Sequence, residues 1–299
     1  MNSLLIVNPA AGQTRSPGTL DKLLAVLAPV LGDVVETQER GDAECAARKA
    51  AAKSRYDAIL VAGGDGTVNE VINGLLSERA NGKAVLPLGL VPLGTQNVLA
   101  HELGVPAGNP LRLLEMLQAG RTRAIDVGVA GSRCFTLMAG FGFDALVVRE
   151  VLRPVKELIG PAAYAFATVG ALAKCRSMAL RLELDGEEIC SESYLVVIAN
   201  AASYAYRQIK LAPFAELDDG WLDICVFERA PTDRFGFVTQ MMAVLTRRHL
   251  RDPRVRYYRA KRIVIHSDPP IHGQLDGDTF GETPLEISIL PRILPVFVP

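Results

Sequence analysis

No segment of this 299-residue chain is apolar for long enough to cross a membrane as a helix. The longest apolar run, about Pro161 to Ala173, falls short of the roughly 20 residues that such a helix needs. Paired cysteines are lacking as well. The five present, Cys45, Cys134, Cys175, Cys190 and Cys225, are widely spaced, odd in number and contain no C-x-x-C pair. That pattern argues against a disulfide framework or a zinc site and for free thiols in a reducing compartment. Charge of one sign is lacking too. The formal net value is -1, so a nucleic-acid partner has no global electrostatic support. The histidines, His101, His249, His266 and His272, have no ligand spacing. Neither G-x-x-x-x-G-K-[ST] nor G-x-S-x-G occurs, which excludes a P-loop NTPase and a nucleophile-elbow hydrolase. The N-terminus has no basic stretch before its first apolar run, so no cleaved signal and a cytoplasmic location are expected.

What is present is ordinary globular material, 49% hydrophobic and 22% charged, in a chain long enough for two domains. Over residues 1–130 strand and helix signals alternate. Strands are predicted over residues 4–7, 34–37, 58–62 and 86–91, and helices over 19–31, 42–54, 67–76 and 97–103, with Asp42 a candidate cap. Alternation of this kind predicts a three-layer α/β domain with a mostly parallel sheet, whose ligand sites lie at the carboxyl ends of the strands. Over residues 131–291 strand-like runs dominate: 180–184, 194–199, 222–227, 262–266 and 285–290. Asp185-Gly186 and Asp219-Gly220 punctuate them. One helix over 233–245 and another over 162–174 interrupt the pattern. A mainly antiparallel, β-sandwich-like second domain is expected.

Three loops carry the chemistry. A buried strand runs into Gly63-Gly64-Asp65-Gly66-Thr67, and a helix leaves with Val68 and Asn69. Glycines let backbone N–H groups approach a ligand, and the helix N-terminus adds positive potential that suits phosphate. Asp65 would repel bare phosphate there, which points to a Mg²⁺ bridge or a general base. Asn8-Pro9-Ala10-Ala11-Gly12 and Pro92-Leu93-Gly94-Thr95-Gln96-Asn97 repeat the arrangement after other strands. Alone, the Gly63–Thr67 loop reads equally well as a plain turn, and each of the other two reads better as a plain βα connection. Together they predict a nucleotide cradle, with Asn8, Thr67, Asn69, Thr95 and Asn97 as uncharged hydrogen-bonding groups.

Asn-Pro-x-x-Gly, Gly-Gly-Asp-Gly-Thr-x-Asn-Glu and Pro-Leu-Gly-Thr-x-Asn, in this order and spacing, resemble the diacylglycerol kinase catalytic domain family, which includes bacterial lipid kinases and sphingosine kinases. The resemblance continues through Ala124-Ile125-Asp126-Val127-Gly128, the glycine-rich segment from Ala139 to Ala145, Asp218-Asp219-Gly220-Trp221-Leu222-Asp223 and Leu275-Asp276-Gly277-Asp278. It implies a lipid kinase that moves the γ-phosphate of ATP to a lipid hydroxyl with Mg²⁺. It also implies an ATP site formed by Asn8, Pro9, Ala10, Ala11, Gly12, Thr37, the residues from Gly63 to Asn69, and Thr95. Asp65 would serve Mg²⁺–ATP or the acceptor hydroxyl. Asp219, with the carbonyls of Glu216 and Trp221, would hold a second, structural Mg²⁺. The closing motif usually ends in glutamate, assigned as proton acceptor; here Asp278 stands in that place and Asp276 is its rival. Val98 stands where many relatives have aspartate. The final strand, about residues 292–299, is expected to return to the first domain.

Two alternatives stay open: a NAD kinase-like enzyme, which shares the Gly-Gly-Asp-Gly loop, and a nucleotide-binding regulator with weakened catalysis. The partner expected on the main reading is a membrane lipid. From Arg247 to Arg262 eight basic residues occur with Asp252 as the one acid. This run reads either as a solvated helix end, loop and edge strand or as a peripheral contact with anionic lipid. Gly140-Phe141-Gly142-Phe143-Asp144-Ala145 also matches a dinucleotide fingerprint, but it lies mid-chain and outside a βαβ unit.

Overall fold

A computed structural model describes residues 1–12, 18–53, 55–82, 84–150, 175–204, 206–229 and 234–299. The helix expected over 162–174 and the apolar run beside it lie outside the described residues. The chain divides into two compact units, Met1–Val127 with Leu290–Pro299, and Gly128–Ile289.

Unit 1 is a parallel sheet with helices. Its strands are β1 (Ser3–Val7), β2 (Leu31–Glu36), β3 (Ala58–Gly63) and β4 (Leu88–Pro92). β1 pairs in parallel with both β2 and β3, and β3 pairs in parallel with β4. β1, β3 and β4 are buried along their whole length, which is why they read as unbroken apolar runs. β2 is the edge, and its Val34 and Val35 are exposed. Between the strands run α1 (Thr19–Leu27), α2 (Asp42–Lys53), α3 (Asp65–Ser77), α4 (Val98–Glu102) and α5 (Pro110–Ala119).

Several boundaries move from those expected. The first helix stops at Leu27 and tightens into a 3₁₀ turn at Ala28–Val30, because Pro29 has no N–H to give the helical ladder. β2 therefore begins at Leu31 rather than Val34. α3 begins two residues earlier than expected, at Asp65. Asp42 opens α2, but its Oδ2 accepts from the N–H groups of Gln38 (2.8 Å) and Glu39 (3.0 Å) before the helix. Those bonds hold its carboxyl below the ordinary value, that from Glu39 most.

Unit 2 is antiparallel. Its elements are β6 (Arg133–Phe135), β7 (Met138–Gly142), α6 (Phe143–Glu150), β8 (Met178–Leu184), β9 (Glu187–Ala199), β10 (Ser203–Tyr204), β11 (Tyr206–Lys210), β12 (Leu222–Glu228), α7 (Arg234–Leu245), β13 (Val255–Ala260), β14 (Arg262–Ser267), β15 (His272–Leu275) and β16 (Asp278–Glu282). The pairing runs β16-β15-β7-β9-β8-β14, with β12 on β9 and β13 on β12. Phe135, Phe141, Ile198, Ile224, Ile263 and Ile287 anchor its core. Asp185-Gly186 and Asp276-Gly277 are two-residue hairpin turns with positive φ throughout, the geometry that Asp-Gly favours.

Two long strands divide between the units. β5 (Thr122–Ala130) leaves unit 1, and β17 (Leu285–Phe297) enters it. In its last part Val296 pairs in parallel with Leu88. Buried Asp126 accepts from the N–H of Arg292 at 2.6 Å, where Arg292 adopts φ +48 and the strand bends.

Candidate active site

The carboxyl ends of β1, β2, β3 and β4 bring the first group of expected residues together. Asn8 N–H donates to Ala62 O at 2.8 Å and Thr37 N–H to Val7 O at 2.8 Å, which sets these two residues beside the glycine loop. Gly63 O accepts from both Leu93 N (3.0 Å) and Gly94 N (3.1 Å). A Cβ on Gly63 would lie 2.7 Å from Thr67 Cβ, and one on Gly94 would lie 2.4 Å from Gly64 Cα. Neither position has room for any other residue. The loops are thus packed backbone to backbone.

Side chains complete the weave. Asn8 Nδ2 donates to Thr67 Oγ1 at 3.0 Å, while Asn8 Oδ1 accepts from Ala10 N at 2.9 Å. Asn97, at φ +49, closes its own loop by exchanging bonds with Gly94 in both directions, at 2.8 and 2.9 Å. Gly12 lies against Thr95, its notional Cβ 3.5 Å from Oγ1. Pro9, Ala10, Gly12, Gly66 and Thr95 are exposed at the mouth, and Val68 is buried beneath it. The opening N–H groups of α3 have no partner inside the helix and carry its positive end. Exposed glycines, a hydroxyl and a helix N-terminus on one rim fit a phosphate chain.

Asp65 accepts from Leu99 N at 3.3 Å, so its carboxylate ties the start of α4 to the start of α3. Asn69 Oδ1 accepts from Asn73 Nδ2 at 3.0 Å. Glu70, which ends the Gly-Gly-Asp-Gly-Thr-x-Asn-Glu motif, accepts from Gly41 N at 3.0 Å and so fixes the loop before α2. Burial pushes its carboxyl above the ordinary value.

In unit 2 the expected carboxylates separate into two places. At the β15–β16 turn, Asp276 accepts from Thr136 N (2.8 Å), Thr136 Oγ1 (3.3 Å), Leu137 N (2.9 Å) and Met138 N (3.0 Å). Those four bonds fill the four acceptor positions of a carboxylate. Half-buried Asp278 follows at the first position of β16, opposite Leu275. Gln274, buried beneath the turn, accepts from Gly277 N at 2.7 Å and donates to Asp144. A Cβ on Gly140 would collide with the Asp144 carboxylate. This explains why the glycine-rich segment and the Leu-Asp-Gly-Asp turn go together. Asn200 grips the link between β6 and β7 that Asp276 also holds, with Nδ2 on Thr136 O at 2.9 Å and its N–H on Leu137 O at 2.8 Å. Asn200 and Gln274 were missed from sequence. Asn200 directly follows the apolar end of β9 and Gln274 lies within β15, and neither carries a local signal of its role.

The second place is the Asp219 loop. Register carries Met138 to Ala199, Asp223 and Arg259 across four strands. From β15 to β13 is four strand spacings, roughly 19 Å along the sheet, so the two places are distinct. Asp219 Oδ1 accepts from Trp221 N at 3.0 Å, and Oδ2 pairs with Arg259. Arg259 also reaches fully buried Asp223 at 3.4 Å and lies over the Trp221 ring at 5.6 Å. Burial raises the Asp223 carboxyl. Glu216 is exposed, and among the described residues no group of three or more His, Cys, Asp or Glu side chains could hold a metal. A second cation on Asp219 and the Glu216 and Trp221 carbonyls would have to displace the Arg259 guanidinium. A Mg²⁺ carried by nucleotide needs only one or two protein carboxylates, and Asp65 at the cradle fits that.

A glycine-loop α/β unit and an antiparallel β unit thus make up the chain. Residues 2–130 match the diacylglycerol kinase catalytic domain family, and residues 138–298 match the YegS C-terminal NAD kinase beta sandwich-like domain. The diacylglycerol kinase of Staphylococcus saprophyticus is 30% identical over 298 residues, spanning 99% of this chain and 94% of that protein. That of Staphylococcus aureus strain MRSA252 is also 30% identical, over 99% and 91%. A crystal structure of a diacylglycerol kinase from Bacillus anthracis str. Sterne superposes with a TM-score of 0.74 at 25% identity, covering 100% of this chain and 97% of that one. The chain belongs to the diacylglycerol kinase family, and at the level of the family it is a lipid kinase. Among the described residues no helix is long and apolar enough to cross a membrane.

Proposed function

We propose that the protein transfers the γ-phosphate of ATP to the hydroxyl of a diacylglycerol-like lipid. The observation that carries this reading is the convergence of three βα loops on Gly63 O and on the Asn8–Thr67 bond. Phosphoryl transfer needs positioning and charge neutralisation more than covalent machinery. Amides of the Gly63–Thr67 loop, with Asn8, Thr37 and Thr95, hold the phosphates. Asp65 holds a nucleotide-bound Mg²⁺, which when present neutralises charge on the phosphate oxygens. Of the two carboxylates at the β15–β16 turn, Asp276 has its acceptor positions filled by protein donors, so Asp278 takes the acceptor hydroxyl's proton. Asp276, Gln274 and Asp144 hold the turn that carries it.

The chain's kinship to a NAD kinase-like β domain keeps one competing acceptor in view. Purified protein with labelled ATP, Mg²⁺ and a panel of diacylglycerol, monoacylglycerol, phosphatidylglycerol, sphingosine and NAD separates the readings. Label is expected in phosphatidic acid above every other product. Label in NADP with none in lipid overturns the assignment, and nucleotide binding without any labelled product marks a regulator.

A further inference from the structure

Of the eight basic side chains from Arg247 to Arg262, ion pairs occupy four. Arg254 pairs with Asp252 at 2.7 Å, Arg256 with Glu228 at 3.6 Å, Arg259 with Asp219 and Asp223, and Arg262 with Glu183 and Glu286 at 2.8 and 2.9 Å. Lys261 lies over the Trp221 ring at 4.6 Å. Among the described residues no ion pair involves Arg247, Arg248 or Arg251, and all three are exposed. The run is therefore no uniform patch. Its unpaired charge gathers at the end of α7 and the 3₁₀ turn His249–Arg251 that follows.

The same corner carries apolar surface. Among the described residues of unit 2, the exposed large hydrophobic side chains are Phe214, Met242 and Leu245, at 65%, 58% and 58%. Met242 and Leu245 share one face of α7, away from its buried Phe237, Gln240 and Val244. Phe214 lies on a loop fastened to the same turn, where His249 Nε2 meets Leu211 O at 3.0 Å. Its ring packs edge-on against Tyr257 of β13 at 5.5 Å. From Arg234 to Arg251 the chain has no acidic residue. Arg247 closes α7 at φ +57, with its N–H on Val244 O (2.9 Å) and that of Arg248 on Ala243 O (2.7 Å). Glycine is the usual residue at such a helix end. Here a strained backbone carries a charged side chain instead.

We propose that this corner of unit 2 is the surface by which the protein docks on an anionic phospholipid bilayer. Phe214, Met242 and Leu245 enter the boundary between headgroups and acyl chains, and Arg247, Arg248 and Arg251 pair with lipid phosphates. Apolar side chains rimmed by basic ones suit that interface. A bilayer, rather than an acidic protein, follows from the lipid acceptor, so the inference rests on the proposed function.

Co-sedimentation with vesicles of phosphatidylcholine, alone or doped with phosphatidylglycerol, tests it. Wild-type protein is expected to sediment with the anionic vesicles and to stay in solution with the neutral ones. Each arginine lost is expected to weaken partitioning roughly fivefold, so Arg248→Gln with Arg251→Gln gives about 25-fold. Arg247→Gly weakens binding about fivefold while its thermal midpoint holds or rises, because the strain is relieved. Arg181→Gln, which breaks an exposed pair with Glu188, leaves sedimentation unchanged. Equal binding to neutral vesicles, no binding to either, or unaltered binding by the arginine variants overturns the docking surface. Phosphorylation of a short-chain diacylglycerol dissolved as monomer reports on the other claim. Wild-type rates in the arginine variants are expected. If wild-type protein binds anionic vesicles but leaves that lipid unlabelled, the docking surface stands and the kinase assignment fails.

Discussion

The two units build their parts of the chemistry from different materials. In unit 1 the site is backbone: glycines pressed together, amides at the start of α3, and carbonyls such as Gly63 O that accept two bonds at once. In unit 2 the site is a turn held from below by side chains, with Asp276 clamping three successive amides that lie about 140 residues earlier in the chain. A backbone site tolerates side-chain changes that spare its glycines. A clamped turn depends on partners that no local stretch contains.

That contrast can be broken in order of size. Asp276→Ala leaves the N–H groups of Thr136, Leu137 and Met138 unpaired in a part-buried region, which is expected to cost about 3–5 kcal/mol. Urea denaturation would show it as a lowered midpoint. A loss below about 1 kcal/mol would mean that the clamp is dispensable. Gly94→Ala forces a Cβ against Gly64 and is expected to cost about 1–3 kcal/mol. Because the strain falls on the cradle, ATP affinity should drop further than stability does, as calorimetric titration beside melting would reveal. Equal affinity would show that the loops can part without harm.

The smallest effect concerns pH. Burial raises the Asp223 carboxyl, so the folded state keeps a proton that the unfolded chain has already released. From about pH 4 up to the raised value the unfolded state binds fewer protons, and stability falls as pH rises. Asp223→Asn should flatten that slope in thermal midpoints measured across the range. An unchanged slope would place its origin elsewhere, for example at Glu70, whose carboxyl shifts in the same direction.

The same contrast explains what could be read from sequence. The glycine loops and buried strands of unit 1 were legible because each is a local pattern. Asp185-Gly186 was legible as a turn for the same reason. β13 was legible only as one of two alternatives, the edge strand after a helix end and loop, because Arg256 and Arg259 pair with acids from other segments and the stretch also reads as a charged patch. α5 had full punctuation, with Asn109 capping Arg112 N at 3.1 Å, Pro110 in the first turn and Gly120 at its end, and went unread. The Asp144–Gln274–Gly277 chain was beyond reach, since nothing in sequence relates position 144 to position 274. Arg259 on Asp219 was equally hidden. The Asp-Gly-Trp motif says nothing of the guanidinium that β13 lays on Asp219.

The proposal most open to test is that Asp278 takes the acceptor's proton and has no part in holding the nucleotide. Asp278→Asn keeps the shape of the side chain and removes its basicity. Calorimetric ATP affinity and the rate of diacylglycerol phosphorylation, both measured on this one variant, decide the matter. The account predicts unchanged affinity with turnover lowered by about 10²–10⁴-fold. Turnover at the wild-type rate, or a loss of ATP binding that accounts for the deficit, would contradict it.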